Sequence, residues 1–315
     1  MTMAARTRAH DNMMLGASNM TVDTTNAVDA AIEAGALFKV HSEPLTVSGE
    51  TPAIKEGKYK GDPIQKILHR IQPDGTIKVL NVVHPSFPES NYLQLFETAE
   101  ALFPESTTAV KVIDDGEQVM LTQEIGSEID LGGGDTIRPH LLWTGSLNST
   151  WATGCHGLAH RFFCANQLPL SKAHISARRT LNHDSMFAYR SQILAQVMDR
   201  MAVFIEGVST LKSIKISGVQ FLKILSEIMP EPGEDAHTKT INTFERKLAA
   251  VRYYWSEESD GPAAGTAWAA FNAVQSAESH DFTEGKAQVK RQVEMVMKEQ
   301  QPMAEAMKGR VLAGV

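Results

Sequence analysis

Cysteine is nearly absent: Cys155 and Cys164 are the two thiols in a chain of 315 residues. A disulfide scaffold is therefore excluded, and the scarcity fits a reducing, cytoplasmic compartment better than a secreted one. Long apolar runs are missing too. No stretch of about 18 consecutive apolar residues marks a membrane span, and residues 1–20 lack the uninterrupted apolar core of roughly 7 to 15 residues that an export signal needs. Nor is there an excess of positive charge, since 30 Lys and Arg face 37 Asp and Glu for a net charge of −7. A surface coated in basic residues is excluded, so any binding to nucleic acid must come from a local patch.

Catalytic signatures are also lacking. The triplet Gly132-Gly133-Gly134 has neither the GxxxxGK[ST] nor the GxGxxG spacing, and its flanking acids Asp130 and Asp135 would repel a phosphate. It reads as a turn. The acid pairs Asp114-Asp115, Glu234-Asp235 and Glu257-Glu258 fall in predicted turns or at helix ends, with no Asp/Glu/His spacing suited to a nuclease metal. Cys155, His156, His160 and Cys164 have zinc-compatible side chains, and a helix would bring them to one side. Strung along one helix, however, they diverge over about 12 Å of rise, and buried, inert thiols are the simpler expectation. No catalytic residue, metal or cofactor is expected, and the chain reads as non-enzymatic.

What is present is ordinary globular material, 43% hydrophobic and 21% charged, in a recognisable order. Residues 1–25 have no apolar periodicity and read as a flexible arm. A short helix over 25–34 is capped by Asn26, and an extended segment follows. Pro73-Asp74-Gly75 sets a β-hairpin, because Pro pre-sets φ and Gly accepts positive φ. A helix over 91–103 is closed by Pro104. Further hairpins turn at Asp115-Gly116 and at the glycine triplet. From 151 to 168 the spacing turns helical, limited by Pro169. Helices then follow over 184–207, up to Pro230, from Asn242 as cap, and over 266–280.

Strands first and helices afterwards predict an α+β fold: a curved antiparallel sheet built of hairpins with packed helices, then a helical C-terminal half. The expected division is an arm (1–25), an α+β core (26–190), a helical region packed on it (191–282) and a charged C-terminal helix or tail (283–315). The helix at Trp268, Phe271, Asn272 and Gln275 is expected to dock with one buried amide.

The segment 137–190 concentrates the remaining signal. Arg161, Lys172, Arg178, Arg179 and Arg190 face one acid, Asp184, so the patch opposes the charge of the whole chain. His156, His160, His174 and His183 add latent charge, and Trp143, Trp151, Phe162, Phe163, Phe187 and Tyr189 could stack on unpaired bases. Two readings stand side by side: a nucleic-acid interface using those five cations, and an ordinary solvated or subunit-contacting face.

GALFKVHSEPL, EQVMLTQEI, IDLGGGDTIRPHLLWTGSLNSTWAT, HRFFCANQL, ARRTLNHD and TAWAAFNAVQSAESH together resemble the phage/plasmid-like proteins grouped as domain of unknown function 932, over residues 25–282. The tryptophan-histidine-glycine pattern near the start of many relatives is missing here. The resemblance implies a phage, prophage or plasmid origin in a bacterial host and no established activity. The element order is also similar to that of phage and eukaryotic single-strand annealing proteins, which implies a homo-oligomer holding single-stranded DNA. The alternative is a self-assembling or host-protein-binding factor without nucleic acid.

Overall fold

The computed structural model describes residues 24–45, 65–87, 89, 91–161, 167–177, 190–282 and 301–314. The expected arm and much of the expected tail lie outside them. Helix α1 (Ala27–Glu33) is capped by Asn26, whose Oδ1 accepts from Asp29 N at 2.9 Å. Strands β1 (His41–Leu45), β2 (Gln65–Ile71) and β3 (Ile77–Val83) form an antiparallel sheet in that order. The β2–β3 hairpin turns at the predicted Pro73-Asp74-Gly75, with Gly75 at φ +82° and Gln72 N donating to Thr76 O at 2.8 Å.

Helix α2 (Leu93–Leu102) ends before Pro104 as its sequence predicts. A second, six-stranded antiparallel sheet follows: β4 (Thr107–Ile113), β5 (Gln118–Glu124), β6 (Ile129–Asp130), β7 (Thr136–Ser146), β8 (Thr153–Arg161) and β9 (Gln167–Ala177). The order is β4-β5-β7-β8-β9, with β6 paired to the start of β7. Gly132, Gly133 and Gly134 all have φ between +70° and +89° and make the β6–β7 turn, as a triplet free of Cβ strain can.

The helical pattern expected over 151–168 is overturned: these residues supply β8 and the start of β9. Every residue of β8 is buried, so the strand shows no polar alternation, and its Gly154, Gly157 and Ala159 carry little intrinsic strand preference. Its two neighbours impose the ladder instead. Pro169 sits in β9, the last strand of the order, where a missing N–H is tolerated.

The back half is helical: α3 (Arg190–Ser213), α4 (Gly218–Ile228), α5 (Thr238–Ser259), α6 (Ala267–His280) and α7 (Pro302–Leu312). Helix α3 runs past the predicted end at residue 207. Helix α5 starts earlier than predicted, because the His237 ring nitrogen, not Asn242, accepts the exposed Lys239 N–H at 3.1 Å. No helix of the described residues is long and apolar enough to cross a membrane.

All fourteen residues of α6 are buried. It packs against α3, α5 and α7, and both of its amides, Asn272 and Gln275, are inside rather than one. The buried Glu278 carboxylate accepts from Ala304 N at 3.3 Å, the favourable place for an anion at the positive end of α7.

Leu121, Leu141, Trp143, Cys155 and Ala159 point from the six-stranded sheet into the main core shared with the helices. The opposite face holds a small cluster of Met120, Leu142 and Leu158, with Ile113 and Trp151 against it. Tyr92 ties sheet to loops: its hydroxyl donates to Glu117 O at 2.8 Å and accepts from Leu147 N at 3.1 Å. Gly145 lies under that ring, and a Cβ there would sit 2.8 Å from it. Gly145→Ala should lower unfolding stability by about 1–3 kcal/mol, the usual cost of overpacking, measured as a reduced urea midpoint; an unchanged midpoint would show that the ring yields freely.

Candidate functional site

Of the five cations singled out in the sequence, Arg161 is not available to a ligand. It ends β8 with no exposed surface, its Nε donating to Asp135 Oδ1 at 2.7 Å and its Nη1 to Glu258 Oε1 at 2.6 Å. Asp135, directly after the glycine turn, is equally buried. Its Oδ2 accepts from Trp268 Nε1 at 2.9 Å and from Lys212 Nζ at 3.4 Å. Lys212 also donates to Leu131 O and Gly132 O at 3.0 and 2.8 Å. The Arg161 guanidinium lies 5.5 Å from the centre of the Trp268 ring.

The expectation that Arg161 contacts phosphate is thus corrected. A buried cation needs nearby anions more than it needs water-exposed ligands, and Asp135 and Glu258 supply them. Two cations and two carboxylates meet, so the cluster balances its own charge.

Lys172 lies on β9 and Arg190 is the first residue of α3, a helix that packs on β9. Arg178 and Arg179 fall outside the described residues, as do Cys164, Phe162, Phe163, Phe187 and Tyr189. Trp143 is in the core, where its Nε1 donates to Gln123 Oε1 at 2.7 Å. Trp151 packs on the second face of the sheet.

The Cys/His series does not converge. On a strand the side-chain period is two, so Cys155 enters the main core while His156 and His160 project to the other face. Among the described residues no group of three or more His, Cys, Asp or Glu could hold a metal. Burial pushes the Cys155 thiol well up, away from a reactive thiolate.

That other face has features the sequence reading missed. His140 and His160 stand edge to face with ring centres 5.2 Å apart. Arg138 beside them is held by Glu124 at 3.1 Å and Glu128 at 3.2 Å. Burial lowers His140, and burial followed by the charge of its neighbours lowers His160 to about 3. On α6, burial lowers His280 to about 4. The residue types gave a hint, but only the β7–β8 register, with Arg138 opposite His160 and His140 opposite Leu158, brings the two rings together.

A domain of unknown function, DUF932, matches by its family model over residues 84–306. The chain belongs to the DUF932 family. No curated protein and no solved structure matches it, and the likeness to annealing proteins is not shown. The DUF932 match begins one residue after β3, leaving the three-stranded sheet outside it. The six-stranded sheet, helices α2 to α6 and the whole Asp135–Arg161–Glu258 cluster lie within it, whereas α1 lies outside it and α7 runs past its end.

Two outcomes are expected of this DUF932 protein. Arg161→Ala should cost about 3–5 kcal/mol in chemical denaturation, because it removes the cation shared by two buried carboxylates; a loss under about 1 kcal/mol would mean that they are solvated. The folded protein also keeps His160 and His280 neutral and disfavours protonation of His140, whereas an unfolded chain protonates all three near pH 6.5. Their contribution is complete above that pH and is lost as pH falls towards the folded values. Stability should therefore drop from pH 7.5 to 5.5, His160 and His280 each adding up to about 1.4 kcal/mol per unit once below 6.5 and His140 acting in the same direction. A flat denaturation midpoint across that range contradicts the assignment.

Proposed function

We propose that this protein is a non-enzymatic, single-stranded-DNA-binding protein of phage or plasmid origin, working as a homo-oligomer in a bacterial cytoplasm. Lys172, Arg178, Arg179 and Arg190 are the phosphate-contacting residues in this reading. What supports it is the run of cations that the sequence carries on and directly after one strand. Lys172 is on β9, the last in the order of its sheet; Arg178 and Arg179 directly follow that strand in sequence; Arg190 opens the helix packed on it. One acid, Asp184, interrupts this run in a chain of net charge −7. Phosphates bind such a patch through charge and counterion release, without need of base-specific contacts or a cofactor.

A second reading, a self-assembling or host-protein-binding factor, is favoured by a different surface. Ile71 and Ile77 are directly opposed on β2 and β3 and are 53% and 65% exposed, with Val79 and Val82 further along β3 at 50% and 44%. Apolar side chains gathered on one small sheet are typical of protein-contacting surfaces.

One preparation separates the two. Purified full-length protein is assayed for mass in solution and for co-purifying nucleic acid, then titrated with a labelled single-stranded oligonucleotide over a range of salt. Binding that weakens steeply with salt is expected. Arg178→Ala with Arg179→Ala should reduce affinity at least about tenfold and lower the log–log salt slope by about 2. Absence of binding at low salt, or binding indifferent to salt, defeats the nucleic-acid reading; an oligomer free of nucleic acid then favours the second.

A further inference from the structure

His41 and His69 are directly opposed partners across the antiparallel β1–β2 ladder. Side chains so placed share one face of the sheet and stand about 4.5–5.5 Å apart at Cβ. Their rings are nearly parallel, at an interplanar angle of 16°, with centres 5.4 Å apart. His41 is partly buried on the edge strand, and His69 is buried on the middle one. Among the described residues no hydrogen bond or ion pair reaches either ring.

The pairing of β2 with β3 sets the second ring. Leu80 is an extra residue on β3, between the pairs Leu68–Asn81 and His69–Val79, and a bulge of this kind re-aims the side chains beside it. Val79 flanks His69 on the side away from His41, and the Ile67–Val82 and Ile71–Ile77 pairs lie before and after it on the same face. These apolar neighbours offer the rings neither a hydrogen bond nor a charge. The charged residue that the three strands place on this face is Glu43, two positions along β1 from His41, and its sign favours a nearby cation.

The ring spacing suits a shared ion. A zinc–nitrogen bond of about 2.0–2.1 Å leaves a ring centre about 3.2 Å from the metal, and two rings at a tetrahedral angle then have centres about 5.2 Å apart. The 5.4 Å observed here meets that requirement without a shift of the strands. Spacing alone does not make a site. The His140–His160 rings are similarly spaced, but the Arg138 charge beside them repels a metal ion as it repels a proton.

We propose that His41 and His69 form a two-histidine site for a divalent transition-metal ion of the kind imidazole prefers, zinc or copper(II). Each neutral ring donates one nitrogen lone pair, and no electron is transferred. No group of three or more His, Cys, Asp or Glu among the described residues could hold a metal, so water fills the remaining positions. A hard ion such as magnesium, which takes oxygen ligands, is not held by such a pair. Both residues precede the span matched by the family model, and the site is independent of the nucleic-acid reading. The competing role is ring packing alone, which holds no ion.

Full-length protein without a histidine tag is stripped with EDTA and titrated calorimetrically with zinc chloride at pH 7.5, with magnesium chloride as the control. Saturable zinc binding is expected, weakened at least about tenfold by His41→Ala or His69→Ala and unchanged by His237→Ala, an exposed histidine at the start of α5. If His69→Ala lowers the urea midpoint, His41→Ala decides, since its side chain is partly exposed on an edge strand. The copper(II)-loaded protein should show coupling to two imidazole nitrogens by electron paramagnetic resonance, and either variant should remove one of them. Ring packing alone moves neither readout. Absence of zinc binding, or binding of equal strength in folded His41→Ala protein, overturns the proposal.

Discussion

The carboxylate of Asp135 is bonded by three side chains at once, from Arg161, Trp268 and Lys212. Arg161 in turn reaches Glu258. Five residues are thereby fixed on the β6–β7 turn, β8, α3, α5 and α6, which are separated by up to 133 positions in sequence. Taking four charges out of water is expensive, and a buried ion cluster is weak as a net source of stability. Its force lies in what it forbids: any packing of the helices on the sheet that pulls one partner away leaves an uncompensated charge inside.

The glycine turn follows from that constraint. To aim the Asp135 side chain inward, the backbone before it must reverse through three consecutive residues of positive φ, which three glycines do without Cβ strain. A Cβ on Gly133 would also approach Pro262 O at 3.3 Å, in the segment that connects α5 to α6. Lys212 donates to Leu131 O and Gly132 O of the same turn, so the end of α3 holds the turn that holds the cluster. The glycines look like a ligand loop in sequence and act as the pivot of an internal joint.

Local chemistry was legible where it is locally decided. The Pro73-Asp74-Gly75 hairpin, the Asn26 cap, the amphipathic α2 with its stop at Pro104 and the short α4 before Pro230 all follow from neighbours within a few residues, and α+β order follows from them. Strand β8 was not legible, because a strand buried on both faces loses its alternation and Gly154, Gly157 and Ala159 prefer nothing strongly. Arg161 was misplaced for a related reason. Its type predicts a surface, and its partners lie 26 and 97 residues away. Asp135 was read as a repelling neighbour of the glycines, correct in sign but without its counter-ion.

Counting charge along a sequence therefore measures supply, not availability. Arg161 and Lys212 are consumed by Asp135 and Glu258, Arg138 by Glu124 and Glu128, and Lys78 by Glu117 at 2.9 Å. Each of these cations already has the anion that a phosphate would have to displace, and displacement would leave a carboxylate unpaired beside the incoming negative charge. A ligand seeking positive charge gains little from them. Of the five cations singled out in the sequence, Arg161 is thus spent, Lys172 lies on β9, Arg190 opens α3, and Arg178 and Arg179 lie outside the described residues. A protein of net charge −7 can attract a polyanion only where its cations are concentrated and not already paired.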